Sequence, residues 1–384
     1  MKIVHMCLCG PVTDGWSYQD NMISKFHVQL GYEVSIITSQ WVWGTDGKMY
    51  LYTNTNYVNE NGVKMHRLSF NFGTNINSKI KLFSKVYITI ANEAPDIIFI
   101  HGCQFWDIRK VVKYLKKHSD VKVYVDNHAD FSNSATNWLS KNILHKIVWR
   151  YCAKIIEPFT TKFYGVLPAR VNFLKGVYKI PPEKTELLLM GADDEKVAMA
   201  RSAKSIKQIR NKHNIANGDF LIVTGGKIDP AKSQTILLME AVKRINFNYV
   251  KLILFGSITN DLKDKIISLI DNDKIQYIGW IDPDEAYNYF AASDLAVFPG
   301  RHSVLWEQVV GTGIPCVFKR WEGTTHVDIG GNCRFIDNDS IEEIERVLLE
   351  ILDNNDLYNQ IHAQAQKGIK LFSYKDIAER SIKI

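Results

Sequence analysis

The stretch "DFLIVTGGKIDPAKSQTILLMEAV", residues 219–242, contains the pattern that decides the fold. An apolar, β-branched run ends at two glycines, and a short polar turn leads into apolar residues at helical spacing. A buried strand, a tight turn and an amphipathic helix are the parts of a parallel α/β unit. Glycines at the turn let backbone N–H groups approach a phosphate, and a helix N-terminus favours an anion. Lys227 and Lys232 on this turn could hold both phosphates of a diphosphate, or they are ordinary solvated lysines.

The same rhythm of strands and helices runs through the whole chain. The second half continues with "YVKLILFGS", "KIQYIGW", "DLAVFPG" and "PCVFK", and the first half contains "KIVHMCLC", "YEVSIITS", "PDIIFIHG" and "VKVYVDNH". Short β-branched runs separated by helices predict parallel sheets covered on both faces. We therefore expect an α/β fold of two doubly wound, Rossmann-like domains, residues 1–190 and 191–371, facing each other across a cleft. Ligands should bind at the carboxyl ends of the strands.

Composition narrows the class of protein. The 384 residues are 46% hydrophobic and 23% charged, which is typical of a soluble globular protein. No apolar run reaches the ~18 residues that a membrane span needs. The opening "MKIVHMCLCG" indicates a first strand rather than a signal peptide, so we expect a cytoplasmic protein. The six cysteines show no CxxC pairing, and we expect free thiols.

The positive charge is concentrated in the first half. Residues 1–190 carry 23 lysines and arginines against 14 acidic residues, and residues 191–384 carry 24 against 27. This imbalance favours an anionic partner for the first half, namely a membrane surface, a phosphorylated substrate or nucleic acid. Residues 138–154, "WLSKNILHKIVWRYCAK", place an apolar stripe among basic residues. The stripe indicates either an ordinary domain helix or a peripheral membrane contact.

Polar residues at strand ends in the first half are candidate ligand contacts. The turn "CGPVTDGWSYQDN" after the first strand contains Gly15 but no GxGxxG, which argues against a dinucleotide site. His101 and His128 each end a strand, where α/β sheets place ligands, although a lone histidine is often a core residue. Two aspartate pairs, at residues 271–273 and 282–284, lie in turn-like surroundings, and we predict no metal site.

A second stretch, "FPGRHSVLWEQVVGTGIPC" at residues 298–316, has the form of a strand, a turn and a helix. Ser303 precedes the apolar run "VLWEQVV" and is predicted to cap the helix, where its hydroxyl and the following N–H groups could face a phosphate or a sugar hydroxyl. Glu307 and Gln308 are adjacent in this helix, so they point about 100° apart.

Taken in order, these segments resemble the retaining GT-B glycosyltransferases of glycosyltransferase family 4. "VTGGKIDPAKSQTILLMEAV" is similar to the phosphate loop of that family, and "LILFGS", "IQYIGWIDPDEAYNYFAASDLAVFPG" and "EQVVGTGIPCVF" follow its order and spacing. In the first half, "GYEVSIITS", "APDIIFIHG", "VDNH" and "LLLMGADDEKV" also fit. The family usually has two glutamates eight positions apart in the second stretch. Here Arg301, His302 and Ser303 stand where the first should fall, and only Glu307 remains.

The resemblance implies a role for each matching residue. Lys227 and Lys232 correspond to the cations on the donor diphosphate, His128 to the histidine beside the donor sugar, and Glu307 to the carboxylate on the ribose. The alternative register would put Gln308 on the ribose. The predicted catalytic residues are His128, Lys227, Lys232 and Glu307. The predicted donor-binding residues are Gly15, Gly226, Lys227, Lys232, Gly256, Trp280, Ile281, His302, Ser303, Val304 and Glu307. The predicted acceptor-side residues are Asp14, Trp16, His101 and His128.

The implied activity is transfer of a sugar from a nucleotide sugar, UDP-linked in our interpretation, with retention at the anomeric carbon and without a metal cofactor. The implied acceptor is a glycan, lipid-diphosphate-linked, in cell-surface polysaccharide synthesis at the inner face of a membrane. A C-terminal helix at about residues 372–384 should return to the first domain. Three alternatives stay open: a nucleic-acid-modifying glucosyltransferase or nucleic-acid binder, a catalytically inactive sugar-binding relative, and a UDP-sugar 2-epimerase, for which the phosphate loop fits less well.

Overall fold

Two compact units divide the chain between them. The computed structural model describes residues 1–44, 48–71 and 80–383. The first unit comprises Met1–Leu189 and the last residues from Ile377 onward, and the second comprises Met190–Asp376. Each unit is built on its own mainly or wholly parallel sheet.

The sheet of the first unit has eight strands. Their order across the sheet is β10-β9-β8-β7-β1-β2-β6-β5, and only the β5–β6 pair is antiparallel. The strands, with a separate β3–β4 hairpin, are β1 Lys2–Cys7, β2 Glu33–Ser39, β3 Trp41–Trp43, β4 Met49–Leu51, β5 Asn56–Val58, β6 Lys64–Leu68, β7 Ile97–His101, β8 Lys122–Asn127, β9 Thr160–Gly165 and β10 Thr185–Leu187. The central strands are buried along nearly their whole length because helices cover both faces of the sheet.

The helices of the first unit connect successive strands. They are α1 Gln19–Gln29, α2 Val86–Glu93, α3 Ile108–Leu115, a π-helix Ser140–Trp149 that continues as α4 Arg150–Ile156, and α5 Pro168–Gly176. Short 3-10 turns occupy Glu157–Phe159 and Pro182–Lys184. The chain order reverses between β1 and β7, so the loops after these two strands meet at one edge of the sheet.

The sheet of the second unit has six parallel strands in the order β13-β12-β11-β14-β15-β16. They are β11 Phe220–Gly225, β12 Val250–Phe255, β13 Ile275–Tyr277, β14 Leu295–Phe298, β15 Cys316–Lys319 and β16 Cys333–Ile336. The helices are α6 Asp194–Ala200, α7 Ala203–Lys212, α8 Gln234–Arg244, α9 Asn260–Ile267, α10 Ala286–Ala292, α11 Leu305–Thr312, α12 Ile341–Leu352, α13 Asn355–Ala365, α14 Gly368–Leu371 and α15 Tyr374–Ser381, with 3-10 turns at Pro230–Lys232 and Thr325–Val327. Its chain order reverses between β11 and β14.

The predicted fold class is confirmed, since each unit has the doubly wound α/β arrangement. Helix α15 starts in the second unit and ends in the first, where the hydroxyl of Tyr124 donates to the carbonyl of Lys383. All six cysteines are free, as expected. Among the described residues, no helix combines the length and the apolar character needed to cross a bilayer.

Candidate functional site

The loop after β11 and the loop after β14 meet in the second unit, at the point where its strand order reverses. A side chain on Gly300 would come within 3.3 Å of the Cα, Cβ and Cγ atoms of Lys232, so the two loops are in direct contact. A side chain on Gly226 would lie 3.2 Å from Leu305 and 3.8 Å from the Lys232 ammonium. The structure therefore brings Gly226, Lys232 and the start of α11 together at the edge where open α/β sheets bind ligands.

Glycines allow the neighbouring loops to approach closely. Gly226 and Gly256 have φ angles of +107° and +115°, and a Cβ on Gly256 would lie 2.0 Å from the Gly226 carbonyl oxygen. The Gly256 N–H donates to the Gly279 carbonyl over 2.7 Å. Trp280, with 62% of its side chain exposed, and the partly exposed Ile281 follow directly after Gly279. These loops bring the predicted donor-binding residues 226, 256, 280 and 281 to the same edge of the sheet.

The two lysines of the glycine turn have different surroundings. Lys227 is 66% exposed, and its ammonium lies 3.7 Å from an Asp229 carboxylate oxygen. Lys232 is half-buried, and no carboxylate lies within 4.0 Å of its ammonium in the part of the chain that the structure describes. Burial is the main influence on the pKa of Lys232 and lowers it, with Lys227 adding to this and Asp229 opposing it. A half-buried ammonium beside two glycine loops is suited to a bound anion.

The turn before α11 differs from the prediction. Helix α11 begins at Leu305, and its N-cap residue is Val304 instead of Ser303. The Ser303 hydroxyl makes no capping bond and is buried without a partner among the described residues. Val304 already has helical backbone angles, and no side chain caps the first turn, so the predicted cap at Ser303 is wrong.

Glu307 lies in a cluster with two histidines. The Nε2 atoms of His302 and His326 each lie 2.7 Å from the same oxygen, Glu307 Oε1, while the buried Oε2 has no partner among the described residues. The side chain of Glu307 is fully buried. Burial opposes its ionisation, but His302 and His326 outweigh that effect and lower the pKa of the carboxyl from 4.5 to about 2. Glu307 is therefore an ionised carboxylate, and only its Oε1 has a hydrogen-bond partner among the described residues.

Gln308 is also buried, at 3% exposure. Glu307 and Gln308 point in different directions, but neither side chain reaches solvent. Exposure therefore does not show which of the two faces a ligand. Glu307 has one carboxylate oxygen committed to histidines, which leaves at most one for a ribose. The assignment of the ribose to Glu307 instead of Gln308 stays a prediction.

Two of the candidate acceptor-side residues, Asp14 and Trp16, lie in the loop after β1. The Asp14 carboxylate accepts from the Tyr57 hydroxyl over 2.5 Å, and the buried Arg67 guanidinium lies 3.5 Å from it. The N–H of Gly15, a predicted donor-binding residue, donates to the Glu60 carboxylate over 2.7 Å. Trp16 is partly exposed, and its ring centre lies 5.3 Å from that of Tyr18 with the two rings tilted by 54°. Side chains of β5, of β6 and of the turn between them therefore fix the position of this loop.

The two predicted histidines of this unit differ in exposure and contacts. His101 is buried, with Nδ1 2.8 Å from Asp126 Oδ2 and Nε2 2.9 Å from His5 Nδ1. Both ring nitrogens are occupied, so the prediction that His101 itself contacts an acceptor is corrected. The side chain of His128 is 40% exposed, and its Nε2 lies 3.3 Å from the same Asp126 oxygen. His128 is therefore the histidine that a ligand can reach.

Two side-chain sets have the composition of metal ligands. The sets His101–Asp126–His128 and His302–Glu307–His326 each bring their donor atoms within 4.8 Å of one another. In both sets the imidazole nitrogens point at a shared carboxylate oxygen at 2.7–3.3 Å, which is the geometry of N–H···O bonds. A metal-bound imidazole also needs an acceptor for its other nitrogen, and the buried Nδ1 of His326 has none among the described residues. We therefore assign both sets as hydrogen-bonded clusters.

The aspartates at 271 and 282 serve as turn acceptors for backbone N–H groups.

Sequence reasoning did not identify Asp126 and His326. Asp126 is two residues before His128 at the end of a strand, so the spacing that puts both on one face was a usable signal. His326 lies in the 3-10 turn after β15, in "GTTHVD", and no local pattern singles it out. Only the position of that turn beside α11 brings it to Glu307.

A known family model matches most of the second unit. Residues 205–368 match the family model described as "Glycosyl transferases group 1". This range includes the glycine turn, the Gly256 and Gly279 loops and helix α11. No curated protein matches the chain significantly.

Solved structures resemble the chain over nearly its whole length. A glycosyltransferase from Rickettsia africae superposes with a TM-score of 0.69 at 16% identity, covering 99% of this chain and 96% of that one. Anabaena HepE in complex with UDP and glucose gives 0.66 at 13% identity, covering 99% and 98%. WaaG, a glycosyltransferase involved in lipopolysaccharide biosynthesis, gives 0.60 at 14% identity, covering 98% of each chain. At these identities the likenesses establish the fold, which is GT-B. Residues 205–368 form a domain of the glycosyl transferases group 1 family, and the chain that carries it is a glycosyltransferase.

Proposed function

We propose that this glycosyltransferase moves a sugar from a UDP-sugar to a hydroxyl group of a glycan acceptor, with retention at the anomeric carbon and without a metal ion. The half-buried Lys232 ammonium beside Gly226 and Gly300 is the observation that carries the proposal. A diphosphate placed there would accept from backbone N–H groups and from a lysine with no carboxylate partner among the described residues. Structural relatives support the choice of nucleotide, since HepE was solved with UDP and with UDP-glucose.

In the proposed reaction, negative charge develops on the departing diphosphate. Fixed cations and N–H dipoles in a preorganised site stabilise such charge without needing to reorganise. Lys232 and Lys227 would supply the cations, and the free Ser303 hydroxyl and Glu307 Oε2 would bind donor hydroxyl groups. A leaving phosphate oxygen would take the proton of the acceptor hydroxyl, so that no protein nucleophile is needed for retention.

The donor assignment is tested by lysine variants. Lys232→Ala should weaken UDP binding by about 10- to 150-fold, because a charge-assisted contact contributes roughly 1.5–3 kcal/mol. Lys227→Ala should weaken it less, because Lys227 is exposed and already faces Asp229. Lys263→Ala, an exposed lysine on α9, is the matched control. Affinity is measured by calorimetry and turnover with a panel of UDP-sugars. Normal UDP affinity in both Lys227 and Lys232 variants would remove the diphosphate assignment.

The proposed acceptor is a glycan on a lipid carrier at a membrane surface. Leu139, Ile143, Ile147 and Tyr151, four residues apart, are 58%, 37%, 59% and 47% exposed, and Trp138 beside them is 71% exposed. The exposed or partly exposed cations in this segment are Lys141, Lys146, Arg150 and Lys154. The predicted stripe splits, because Leu144 and Val148 pack on the core and His145 is buried against Tyr178 and Ser134. Exposed apolar side chains among lysines favour an anionic lipid surface.

The membrane proposal is tested with vesicles. The double substitution of Ile143 and Ile147 to Ser should reduce co-sedimentation with phosphatidylglycerol vesicles by at least ~10-fold, since burying each side chain contributes about 1.5–3 kcal/mol. Ile88→Ser is the matched control, because Ile88 is 54% exposed on α2 of the same unit. Equal binding of the double variant and the control would reject this surface as the membrane contact without affecting the donor assignment.

A further inference from the structure

Three buried imidazoles form a continuous chain through the first unit. The Nε2 atom of His27 lies 2.9 Å from the Ala378 carbonyl oxygen, and its Nδ1 lies 3.0 Å from His5 Nε2. The Nδ1 atom of His5 lies 2.9 Å from His101 Nε2, and His101 Nδ1 lies 2.8 Å from Asp126 Oδ2. His5 and His27 are fully buried, as is Asp126, and His101 is 6% exposed. The chain therefore consists of four consecutive contacts within one unit.

These contacts determine how many protons the three hydrogen-bonded imidazoles hold. The Ala378 carbonyl at one end can only accept a hydrogen bond, and an ionised Asp126 at the other end can only accept. Four contacts need four protons, but three neutral imidazoles carry three N–H groups. The Ser381 hydroxyl lies 3.2 Å from His27 Nε2 but does not supply the fourth proton, because it donates its single proton to the nearer Ala378 carbonyl over 2.8 Å. One additional proton is therefore needed to satisfy every contact.

We propose that this cluster permanently holds one extra proton, as a His101 imidazolium paired with the Asp126 carboxylate, and that the pair keeps His128 neutral, with its Nε2–H toward Asp126 and its Nδ1 free. Asp126 Oδ2 faces both His101 and His128, at 2.8 Å and 3.3 Å. Because His101 compensates the buried carboxylate, Asp126 has little need of a second cation at His128. His5, His27, His101 and Asp126 then act as positioning residues for His128.

The electrostatic surroundings place the proton on His101. Burial would lower the pKa of His101, but the neighbouring Asp126 outweighs it and raises that pKa. Burial lowers the pKa of His5 well below its ordinary value, and that of His27 to about 4. Burial would raise the pKa of Asp126, but His101 and His128 lower it instead. The imidazolium is therefore next to the carboxylate, and the other two imidazoles are neutral.

The other ionisable groups around the cluster do not supply a competing charge. Asp20 of α1 contributes a weak attraction that raises the pKa of His101 further. The thiols of Cys7, Cys9 and Cys103 interact with Asp126, and burial raises the pKa of each, that of Cys9 to about 11. All three are uncharged thiols at neutral pH. The proton of the cluster is thus bound by the imidazoles and Asp126 alone among the described residues.

The number of protons in the cluster does not depend on the proposed function. The consequence for His128 rests on the proposed function, because it concerns contact with a sugar hydroxyl. A neutral imidazole with a free Nδ1 can accept a hydrogen bond from a sugar hydroxyl, and an imidazolium cannot. If the extra proton left His101, Asp126 would remain as an uncompensated buried carboxylate. Its charge would then favour the protonated form of His128 and remove that acceptor.

Isoelectric focusing tests whether the proton is held. Asp126→Asn removes the carboxylate charge, and the amide can donate to His101, so the extra proton is no longer needed and the net charge stays the same. The isoelectric point of the folded variant should therefore equal that of the unaltered protein. Asp261→Asn, an exposed aspartate on α9, is the control and should shift by one charge. A shift in Asp126→Asn as large as in the control would overturn the proposal.

Nitrogen-15 NMR of the unaltered protein locates the proton and does not depend on any variant folding. At neutral pH, His101 should show two protonated ring nitrogens, and His5, His27 and His128 should each be neutral with Nε2 protonated. His5→Phe should leave His101 with a single protonated ring nitrogen, because its Nε2 loses its acceptor and one proton then satisfies its contact with Asp126. His118→Phe, an exposed histidine of the same unit, should leave both ring nitrogens of His101 protonated. A neutral His101, or an imidazolium at His128, would overturn the proposal whether or not the enzyme uses UDP-sugars.

Discussion

Replacing Glu307 by Gln should destabilise the second unit in a pH-dependent way. The carboxyl is fully buried, and its pKa is about 2 in the folded protein against an ordinary value of 4.5. A depression of 2.5 pKa units corresponds to about 3 kcal/mol of stabilisation. Because the folded pKa is the lower one, this stabilisation is fully present above pH 4.5 and is lost as the pH falls through 2. Glutamine keeps the shape and one acceptor oxygen for His302 and His326 but removes the charge.

The assay is urea unfolding of the unaltered and variant proteins at pH 7 and at pH 3. The difference in unfolding free energy should be about 3 kcal/mol at pH 7 and should shrink to about 1 kcal/mol at pH 3. Glu322→Gln, an exposed glutamate in the same unit, is the control and should change stability by less than ~0.5 kcal/mol. A difference that is equally large at both pH values would refute the reasoning, because it would come from packing and not from the charge.

Three further predictions concern the donor site. Activity should survive EDTA, since the lysines supply the cationic charge; complete loss that Mg²⁺ or Mn²⁺ restores would mean that one of the carboxylate clusters binds a metal. Gly256→Ala should cost at least ~2 kcal/mol of stability and impair UDP binding, because the new Cβ would lie 2.0 Å from the Gly226 carbonyl at a φ of +115°, whereas Gly218→Ala meets nothing within 4 Å. Glu307→Gln should weaken UDP binding by about 30-fold or more and Gln308→Ala should change it little, as calorimetry would show; the reverse result would move the ribose to Gln308.

The sequence was sufficient to predict the fold and the position of the glycine turn after β11, because both follow from local patterns. The strand "FLIVT" and the apolar periodicity after Ser233 predict the β11–turn–α8 unit that the structure contains. Parallel strands end at a common edge, so Gly226, Lys232 and Gly300 could be expected in one place. The expected cap at Ser303 failed for a local reason as well, because serine before an apolar run does not specify which residue starts the helix.

The histidine clusters could not be predicted, because their members come from elements that only the topology brings together. His5, His27 and His101 belong to β1, α1 and β7, and each is a lone histidine in its own segment. Their contacts depend on β7 pairing with β1 and on α1 packing over β1 and β2. His326 likewise reaches Glu307 only through the turn after β15. A single sequence shows the spacing within an element, but it does not show which distant side chains share a buried space.

The packing of residues 377–383 in the first unit has a consequence for protein synthesis. The carbonyl of Ala378 and the hydroxyl of Ser381 complete the contacts of His27, and Lys383 accepts from Tyr124. At roughly 5–20 residues per second, a ribosome needs on the order of 10–40 s to translate the second unit after Leu189 has been added. During that time the first unit emerges without its last helical turns, and the acceptor for His27 is still missing. We therefore expect the nascent first unit to be most accessible to chaperones and proteases until residues 377–383 have left the ribosome.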